Sequence, residues 1–183
     1  MSLLKQFCNA ATAAGAVLIE CKNQQAAVTY IAEHAQGGVL VPVSASIERA
    51  ELNAALLSAG VKLLSVERRQ AEQAAAGVTS ACFGIADTGT LVLESTAEDV
   101  RLASTLPTRH FVILDPSKML ADGLAAVGPL RKMHQQNSRN YIAYITGPSR
   151  TADIERVLTI GVHGPKELYI LLLDEWSADL LEM

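Results

Sequence analysis

Apolar and polar positions along the first 66 residues follow two alternating periods. Near the amino terminus the apolar residues fall three or four positions apart, as on one face of a packed helix; they are Leu4, Phe7, Cys8 and Ala11. Short apolar runs farther along each predict a strand; they occupy residues 16–21, 39–42 and 61–66. Because strands here alternate with helical segments, this third of the chain predicts right-handed crossovers and a parallel sheet.

The two helices between these strands have recognisable limits. Asn23 is a suitable N-cap for the first helix, and Gly37 marks its end. Its apolar face includes Tyr30 and Ile31. The second is predicted over residues 47–59, with apolar positions on one side and charged positions on the other.

From residue 67 onward the regular alternation of helices and strands gives way to shorter predicted elements. Residues 67–76 predict a short polar helix, and two β-like runs follow at residues 78–86 and 90–95. Only the triplet Asp-Thr-Gly separates these two runs, which predicts an antiparallel hairpin. The sequence Ser-Thr-Ala-Glu at residues 95–98 then has the spacing of a capping box at the start of a short helix.

The remaining pattern returns to strands and one long helical segment. Residues 110–115 predict a strand, and Asp115 followed by Pro116 predicts a helix start. That helix is expected to run toward Met133 with a break at Gly123. Two further apolar runs predict strands, at residues 140–146 and 169–173.

The composition supports an α/β fold for this pattern. Half of the 183 residues are hydrophobic but only 4% are aromatic, so the apolar mass is alanine, valine, leucine and isoleucine. Such residues suit parallel strands that helices cover on both faces. We therefore predict a single domain over residues 1–183, with a mostly parallel sheet flanked by helices and an inserted hairpin.

Charge and cysteine content exclude several classes of function. The net charge is −4 and lysines and arginines form no stripe, so nucleic acid is not an expected partner. The three cysteines (Cys8, Cys21 and Cys82) are scattered, so neither a disulfide framework nor a paired-cysteine metal site is indicated. No apolar run approaches the roughly 18 residues that span a bilayer. We expect a reduced, cytoplasmic protein without a membrane span.

The Asp-Thr-Gly-Thr sequence at residues 87–90 has three interpretations. Aspartic proteases use two Asp-Thr-Gly loops that share a proton, but this chain has one copy after several βα units. A phosphorylated aspartate would need the lysine that is missing between Asp87 and Thr88. A turn, in which Gly89 adopts a positive φ, explains the sequence on local grounds.

A second candidate for chemistry is the sequence Gly-Pro-Ser-Arg-Thr-Ala-Asp at residues 147–153, directly after an apolar strand. If a short helix follows, its N-terminus offers free N–H groups to an anion, and Arg150 can bind a carboxylate or phosphate through two hydrogen bonds. Alternatively, Ser149 or Thr151 only caps that helix while Arg150 is solvated or pairs with Asp153 or Glu155. The spacing leaves both interpretations open.

A third candidate is His163, which stands between glycines in the sequence Gly-Val-His-Gly-Pro at residues 161–165. Its imidazole titrates near neutral pH and the glycines give its backbone room to approach a ligand, although a lone histidine more often has a structural role. No two histidines have the spacing of metal ligands, so we predict no metal.

Four stretches in fixed order resemble the LUD-domain family, and within it the lactate utilization protein C (LutC, YkgG-like) group. They are residues 77–93, residues 101–107 with His110, residues 147–155 and residues 161–168. The resemblance covers about residues 40–175, and the preceding part of the chain matches only in pattern. The family often has glutamate where this chain has Asp87, which is a mild departure.

The resemblance implies both a fold and a function. It implies the α/β fold of ribose-phosphate isomerases, glucosamine-phosphate deaminases and CoA transferases. It also implies a part in oxidising L-lactate to pyruvate together with iron–sulfur proteins, which hold the cofactors, so that this chain has none of its own. The alternative is an independent enzyme acting on a small phosphorylated or CoA-linked carboxylate, for which Asp87 or Glu94 would be the nucleophile.

The resemblance does not assign a catalytic residue. It does bring the 87–90 and 147–153 segments into one predicted cleft for a small anion. The candidate ligand-binding residues are Asp87, Thr88, Gly89, Thr90, Arg101, Gly147, Ser149, Arg150, Thr151, Asp153, His163 and Gly164.

Overall fold

The fold is taken from a computed structural model, which describes residues 2–136, 139–152, 158–160, 164–177 and 179–183. The helices in these ranges are α1 (Leu3–Ala13), α2 (Gln24–His34), α3 (Ala45–Arg49), α4 (Leu52–Ser58), α5 (Arg68–Ala71), α6 (Glu98–Thr105) and α7 (Gly123–Gln136). The strands are β1 (Val17–Cys21), β2 (Val39–Leu40), β3 (Leu63–Leu64), β4 (Ala76–Ser80), β5 (Phe83–Ile85), β6 (Thr90–Glu94), β7 (Arg109–Leu114), β8 (Met119–Leu120), β9 (Ile142–Ile145), β10 (Arg150–Ala152), β11 (Leu158–Ile160) and β12 (Glu167–Leu173).

Six strands form a parallel sheet, as the alternating pattern predicted. Their order is β1-β12-β7-β4-β2-β3, and every neighbouring pair runs in the same direction. The α/β class with a mostly parallel sheet between helices is therefore confirmed. The chain starts at the edge strand β1 and crosses through α2 to β2 and then to β3 at the opposite edge. It then adds β4, β7 and β12 in turn, each one position closer to β1.

The central strand β7 is buried on both faces of the sheet. Phe111 and Ile113 pack into the cluster under α2 and α4, whereas Val112 and Leu114 pack on the opposite side with α1. The Phe111 ring stacks on Tyr169 of the neighbouring strand, with 4.8 Å between the ring centroids. Burial on both faces explains why the strand sequence is continuously apolar instead of alternating.

A second sheet covers one side of the first. It has the order β8-β5-β6-β9, with β5 and β6 antiparallel across the turn at residues 87–89. This is the predicted hairpin, but the apolar run at residues 78–86 belongs to two strands. Residues 78–80 are the end of β4 in the parallel sheet, and the chain then bends at Cys82 and enters the second sheet as β5.

Several predicted element boundaries are wrong. The helix expected over residues 47–59 is two helices, because Glu51 adopts a left-handed conformation with φ +48° between α3 and α4. The capping box at residues 95–98 does not form, since the Ser95 hydroxyl donates to the Tyr141 carbonyl 3.1 Å away and Ala97 stands at the N-cap position.

The prediction that a helix starts after Asp115 is also wrong. The Asp115 carboxylate accepts hydrogen bonds from the backbone and hydroxyl of Ser117, at 2.9 and 2.6 Å, and thereby forms a local turn. Strand β8 follows that turn, and the long helix begins only at Gly123. Within the described ranges, no helix has both the length and the apolar character needed to cross a membrane.

Candidate functional site

Two of the segments singled out by the sequence meet in the structure. The hydroxyls of Thr88 and Thr90 are hydrogen bonded at 2.7 Å, and the Thr90 hydroxyl is hydrogen bonded to that of Thr146, also at 2.7 Å. Thr146 directly precedes the loop at residues 147–150. A line of three hydroxyls therefore joins the 87–90 turn to the 147–150 loop.

Both segments also dock against the carboxyl-terminal end of α1, and each does so through a glycine. Gly89 has φ +67° and Gly147 has φ +72°, the region that favours glycine. A Cβ atom on Gly89 would lie 2.2 Å from the Ala11 nitrogen, and one on Gly147 would lie 2.2 Å from the Ala14 oxygen. Glycine is thus required at both positions by the backbone angle and by the close approach.

Arg150 completes this junction from the exposed end of the loop. Its Nη2 atom donates a hydrogen bond to the carbonyl oxygen of Ala14, 2.6 Å away. The carbonyls at the end of a helix lack helical partners and carry partial negative charge, so a guanidinium there is favourable. One of the N–H groups of Arg150 is therefore committed to capping α1.

We expect Gly147→Ala to lower the free energy of unfolding by roughly 2 kcal/mol more than Gly60→Ala does. Gly60 is a matched control because it has φ +81° but nothing within 4 Å of an added Cβ. The difference between the two variants isolates the clash with Ala14, and urea unfolding followed by the fluorescence of Trp176 measures it. Equal losses in the two variants would show that the close approach to α1 is unimportant.

A cavity of about 340 Å³ opens beside the 147–150 loop. It lies between β9, the end of α6 and the start of β12, and we call it the loop cavity. Its walls are formed by Ser104, Thr105, His110, Ala143, Tyr144, Ile145, Thr146, Gly147, Pro148, Ser149, Arg150, Gly164, Pro165 and Leu168. The volume is within the range of small-molecule sites in proteins.

His110 is the most deeply buried titratable residue of this wall. It stands near the start of β7, only 1% exposed, and its Nε2 is 2.9 Å from the hydroxyl of Thr79 on β4. Its Nδ1 atom is buried and has no hydrogen-bond partner within the described ranges. Burial lowers the pKa of His110 to about 3, so the imidazole is neutral at pH 7.

The hydroxyls at the end of α6 contribute acceptors to the wall. Ser104 and Thr105 both donate to the carbonyl of Arg101, at 3.2 and 2.6 Å, so each hydroxyl oxygen keeps lone pairs for another donor. On the opposite wall, the Ser149 N–H donates to the Pro165 carbonyl at 2.9 Å and holds the loop against the start of β12.

The structure brings four of the predicted site residues to the loop cavity and places others elsewhere. Gly147, Ser149, Arg150 and Gly164 line it. Gly89 and Thr90 lie buried beneath the junction with α1, while Asp87 and Thr88 are exposed on the turn.

Arg101 does not line the cavity. Its Nη1 atom donates to the carbonyls of Ser95 and Thr96, both at 2.6 Å, and its guanidinium lies 5.5 Å from the centroid of the Tyr141 ring. This arginine therefore holds the connection between β6 and α6. Glu94, a candidate nucleophile of the alternative function, accepts a hydrogen bond from the Thr96 backbone at 2.9 Å.

Residues 150–152 form β10, which pairs with β11, so neither Ser149 nor Thr151 caps a helix, and the short helix predicted after residue 153 falls outside the described residues. The predicted anion site at the N-terminus of that helix stays a prediction. Thr151 lies in β10, and both Asp153 and His163 fall outside the described residues. Within the described ranges, no group of three or more histidine, cysteine, aspartate or glutamate side chains is arranged to hold a metal ion.

His110 and the hydroxyls of α6 were not among the predicted candidates. His110 could have been recognised in the sequence as the polar first residue of the apolar run His-Phe-Val-Ile-Leu. A histidine in a strand that is buried on both faces needs hydrogen-bond partners. Ser104 and Thr105 gave no such signal, because serine and threonine are common near helix ends.

At the carboxyl edge of the parallel sheet, where open α/β sheets usually bind ligands, the chain itself fills the region between β2 and β4. Between the ends of β2 and β4, the Ser46 and Ser80 hydroxyls are hydrogen bonded at 2.9 Å, and the Trp176 indole donates to Ser80 at 2.9 Å. The ammonium of Lys118 donates to the Ser177 hydroxyl at 2.9 Å and to the Glu182 carbonyl at 2.5 Å. These hydroxyl, indole and ammonium groups are therefore satisfied internally.

The fold and the loop cavity define an α/β protein with a parallel sheet and a candidate small-molecule site on one side of it. The LUD domain family matches this chain over residues 4–173. The chain therefore belongs to the LUD-domain family, as its four motifs predicted.

This chain spans about half the length of the named relatives that it matches. Lactate utilization protein C of Bacillus subtilis strain 168 is 40% identical over 113 residues, which is 58% of this chain and 45% of that protein. The protein YkgG of Escherichia coli strain K12 is 41% identical over 108 residues, which is 57% of this chain and 47% of that protein.

A solved structure supports the fold over nearly the whole chain. The crystal structure of a DUF162 family protein from Deinococcus radiodurans aligns with a TM-score of 0.64, covering 93% of this chain and 96% of that one. Sequence identity is 19%, so this similarity concerns the fold.

Proposed function

We propose that this protein takes part in L-lactate utilisation as a non-redox, ligand-binding subunit that acts with iron–sulfur partner proteins. The observation that carries the proposal is membership of the LUD-domain family together with relatives, 33–42% identical, several of which are named lactate utilization protein C. Because the chain spans about half the length of the first of these relatives, their role is carried over as a proposal.

The cysteine inventory of the sequence supports the assignment of electron transfer to partners. Iron–sulfur clusters are usually held by four cysteine thiolates. The sequence has three cysteines, and they lie apart on α1, on β1 and before β5. Burial raises the pKa of Cys82 to about 11, whereas a cluster ligand has to be a thiolate.

The loop cavity supports the ligand-binding part of the proposal. It combines apolar walls from β9 and β12 with hydroxyls from Ser104 and Thr105, a guanidinium at Arg150 and the neutral imidazole of His110. A few placed polar groups on an apolar wall are typical of sites for small organic molecules. None of the described carboxylates forms a salt bridge with Arg150, and a guanidinium is a common partner of an anionic ligand.

Deleting the gene in its own organism tests this proposal. We expect the deletion strain to lose growth on L-lactate as the sole carbon source while it grows normally on a sugar. A plasmid copy of the gene should restore growth, and a copy carrying Gly147→Ala should restore less than the wild-type copy because the loop no longer docks on α1. Unimpaired growth of the deletion strain on L-lactate would refute a required role in lactate utilisation.

A further inference from the structure

Among the described residues, His110 and Ser44 each leave one buried polar side-chain atom unpaired, and of the two only His110 lines the loop cavity. The buried hydroxyls of Ser46 and Ser80 and the indole of Trp176 are joined in one hydrogen-bonded group. Lys118 is likewise bonded to neighbouring oxygens. In the described part of the chain, the Nδ1 atom of His110 has no partner although it is buried.

An unpaired buried nitrogen is unfavourable, because it has lost its bond to water and gained none in the protein. A hydrophobic side chain in this place would avoid the loss, since the neighbouring residues on this face of the sheet are the apolar Val112 and Leu168. His110 lines the loop cavity while its Nδ1 atom is closed to solvent, so the missing partner is supplied if a molecule that enters the cavity moves the wall enough to reach this atom.

We propose that His110 is a ligand-binding residue and that the loop cavity binds a short organic carboxylate carrying a hydroxyl or keto oxygen, which pairs with Nδ1. The choice of an organic acid rests on the proposed function. The presence of a site at His110 rests on the geometry alone.

The bond to Thr79 determines what Nδ1 offers the ligand. A neutral imidazole has one N–H donor and one lone pair. When Nε2 donates to the Thr79 hydroxyl, Nδ1 is an acceptor suited to the hydroxyl of a hydroxy acid. When Thr79 donates instead, Nδ1 carries the proton and suits the keto oxygen of an oxo acid. The same site thus fits the reduced and the oxidised member of such a pair.

The rest of the cavity matches the other parts of such a ligand. Ala143, Ile145 and Leu168 provide apolar surface for a short carbon chain. Arg150 lies in the same wall at its exposed end and supplies positive charge for the carboxylate. A small ligand can therefore contact both the apolar wall and Arg150.

Titration of the imidazole-¹⁵N-labelled protein with L-lactate, pyruvate or inorganic phosphate tests the proposal. We expect L-lactate and pyruvate each to shift the ring-nitrogen resonances of His110 and to leave those of the exposed His134 unchanged. Calorimetry of the same additions gives the dissociation constants.

The matched variant is the double substitution His110→Leu with Thr79→Val, which removes both partners of the internal hydrogen bond and leaves no new unpaired group. We expect it to remain folded, because replacing both partners of a bond by apolar groups is nearly neutral. It should bind the acids roughly 10- to 100-fold more weakly than the wild type. His134→Leu is the control and should bind as the wild type does.

Three results would overturn the proposal: no shift at His110 with either acid, undiminished affinity in a folded double variant, or binding of phosphate without binding of the acids. Failure of the proposed function is a separate outcome. If the acids bind at His110 while the deletion strain still grows on L-lactate, the site stands and the cellular role is wrong.

Discussion

Gly77→Ala should be among the most destabilising single substitutions in this protein, lowering the free energy of unfolding by at least about 3 kcal/mol. Gly77 lies in β4, where α6 crosses the parallel sheet. A Cβ atom there would stand 1.9 Å from the carbonyl oxygen of Ala103 and 2.7 Å from its carbon. Since these are backbone atoms, no side-chain rotation relieves the overlap, and α6 has to move away from the sheet.

The displacement of α6 would reach the loop cavity, because Ser104 and Thr105 line it from the end of this helix. We therefore expect any Gly77→Ala protein that folds to bind ligand more weakly as well. The control is Gly123→Ala, where nothing lies within 4 Å of the added Cβ, and its stability should change by less than about 1 kcal/mol. Indistinguishable urea midpoints for the two variants would contradict the packing of α6 on β4.

Acid should destabilise this protein through His110. The pKa of His110 is about 3 in the folded chain and 6.5 at its ordinary value. Between these values the unfolded chain binds a proton that the folded chain does not, so the free energy of unfolding falls as the pH falls. The penalty is absent above about pH 7 and grows to on the order of 4 kcal/mol near pH 3.

The double variant His110→Leu with Thr79→Val provides the matched measurement. Urea unfolding at a series of pH values from 7.5 to about 4 should show a steep decline in wild-type stability and a shallower one in the variant. The two proteins should differ little at pH 7.5 and diverge progressively below about pH 6.5. Parallel curves would mean that His110 is already protonated, or accessible to solvent, in the folded protein.

The sequence predicted the parts of the fold that depend on local pattern. The apolar runs of β7 and β12 and the Asn23 cap of α2 were correct, because burial on both faces and N-capping leave a direct trace in residue order. The break at Glu51 and the turn at Asp115 were missed, since both depend on conformations that the flanking residues do not determine.

The site was less predictable than the fold for a physical reason. The segments at residues 87–90 and 147–150 are far apart in sequence, and their meeting depends on how both pack against α1. The roles of Asp87, Asp153 and His163 in ligand binding stay predictions. His110 became a candidate only when its unpaired Nδ1 and the cavity were seen together.

Affinity purification from cells grown on L-lactate is the most direct test of the proposed action of this LUD-domain protein with iron–sulfur partners in lactate utilisation. The tagged protein should bring down proteins that carry iron and acid-labile sulfide, whereas the same protein purified alone should hold neither. The association should be absent, or much reduced, for a tagged protein with Gly77→Ala. Recovery of the wild-type protein without any iron-containing partner would contradict the account.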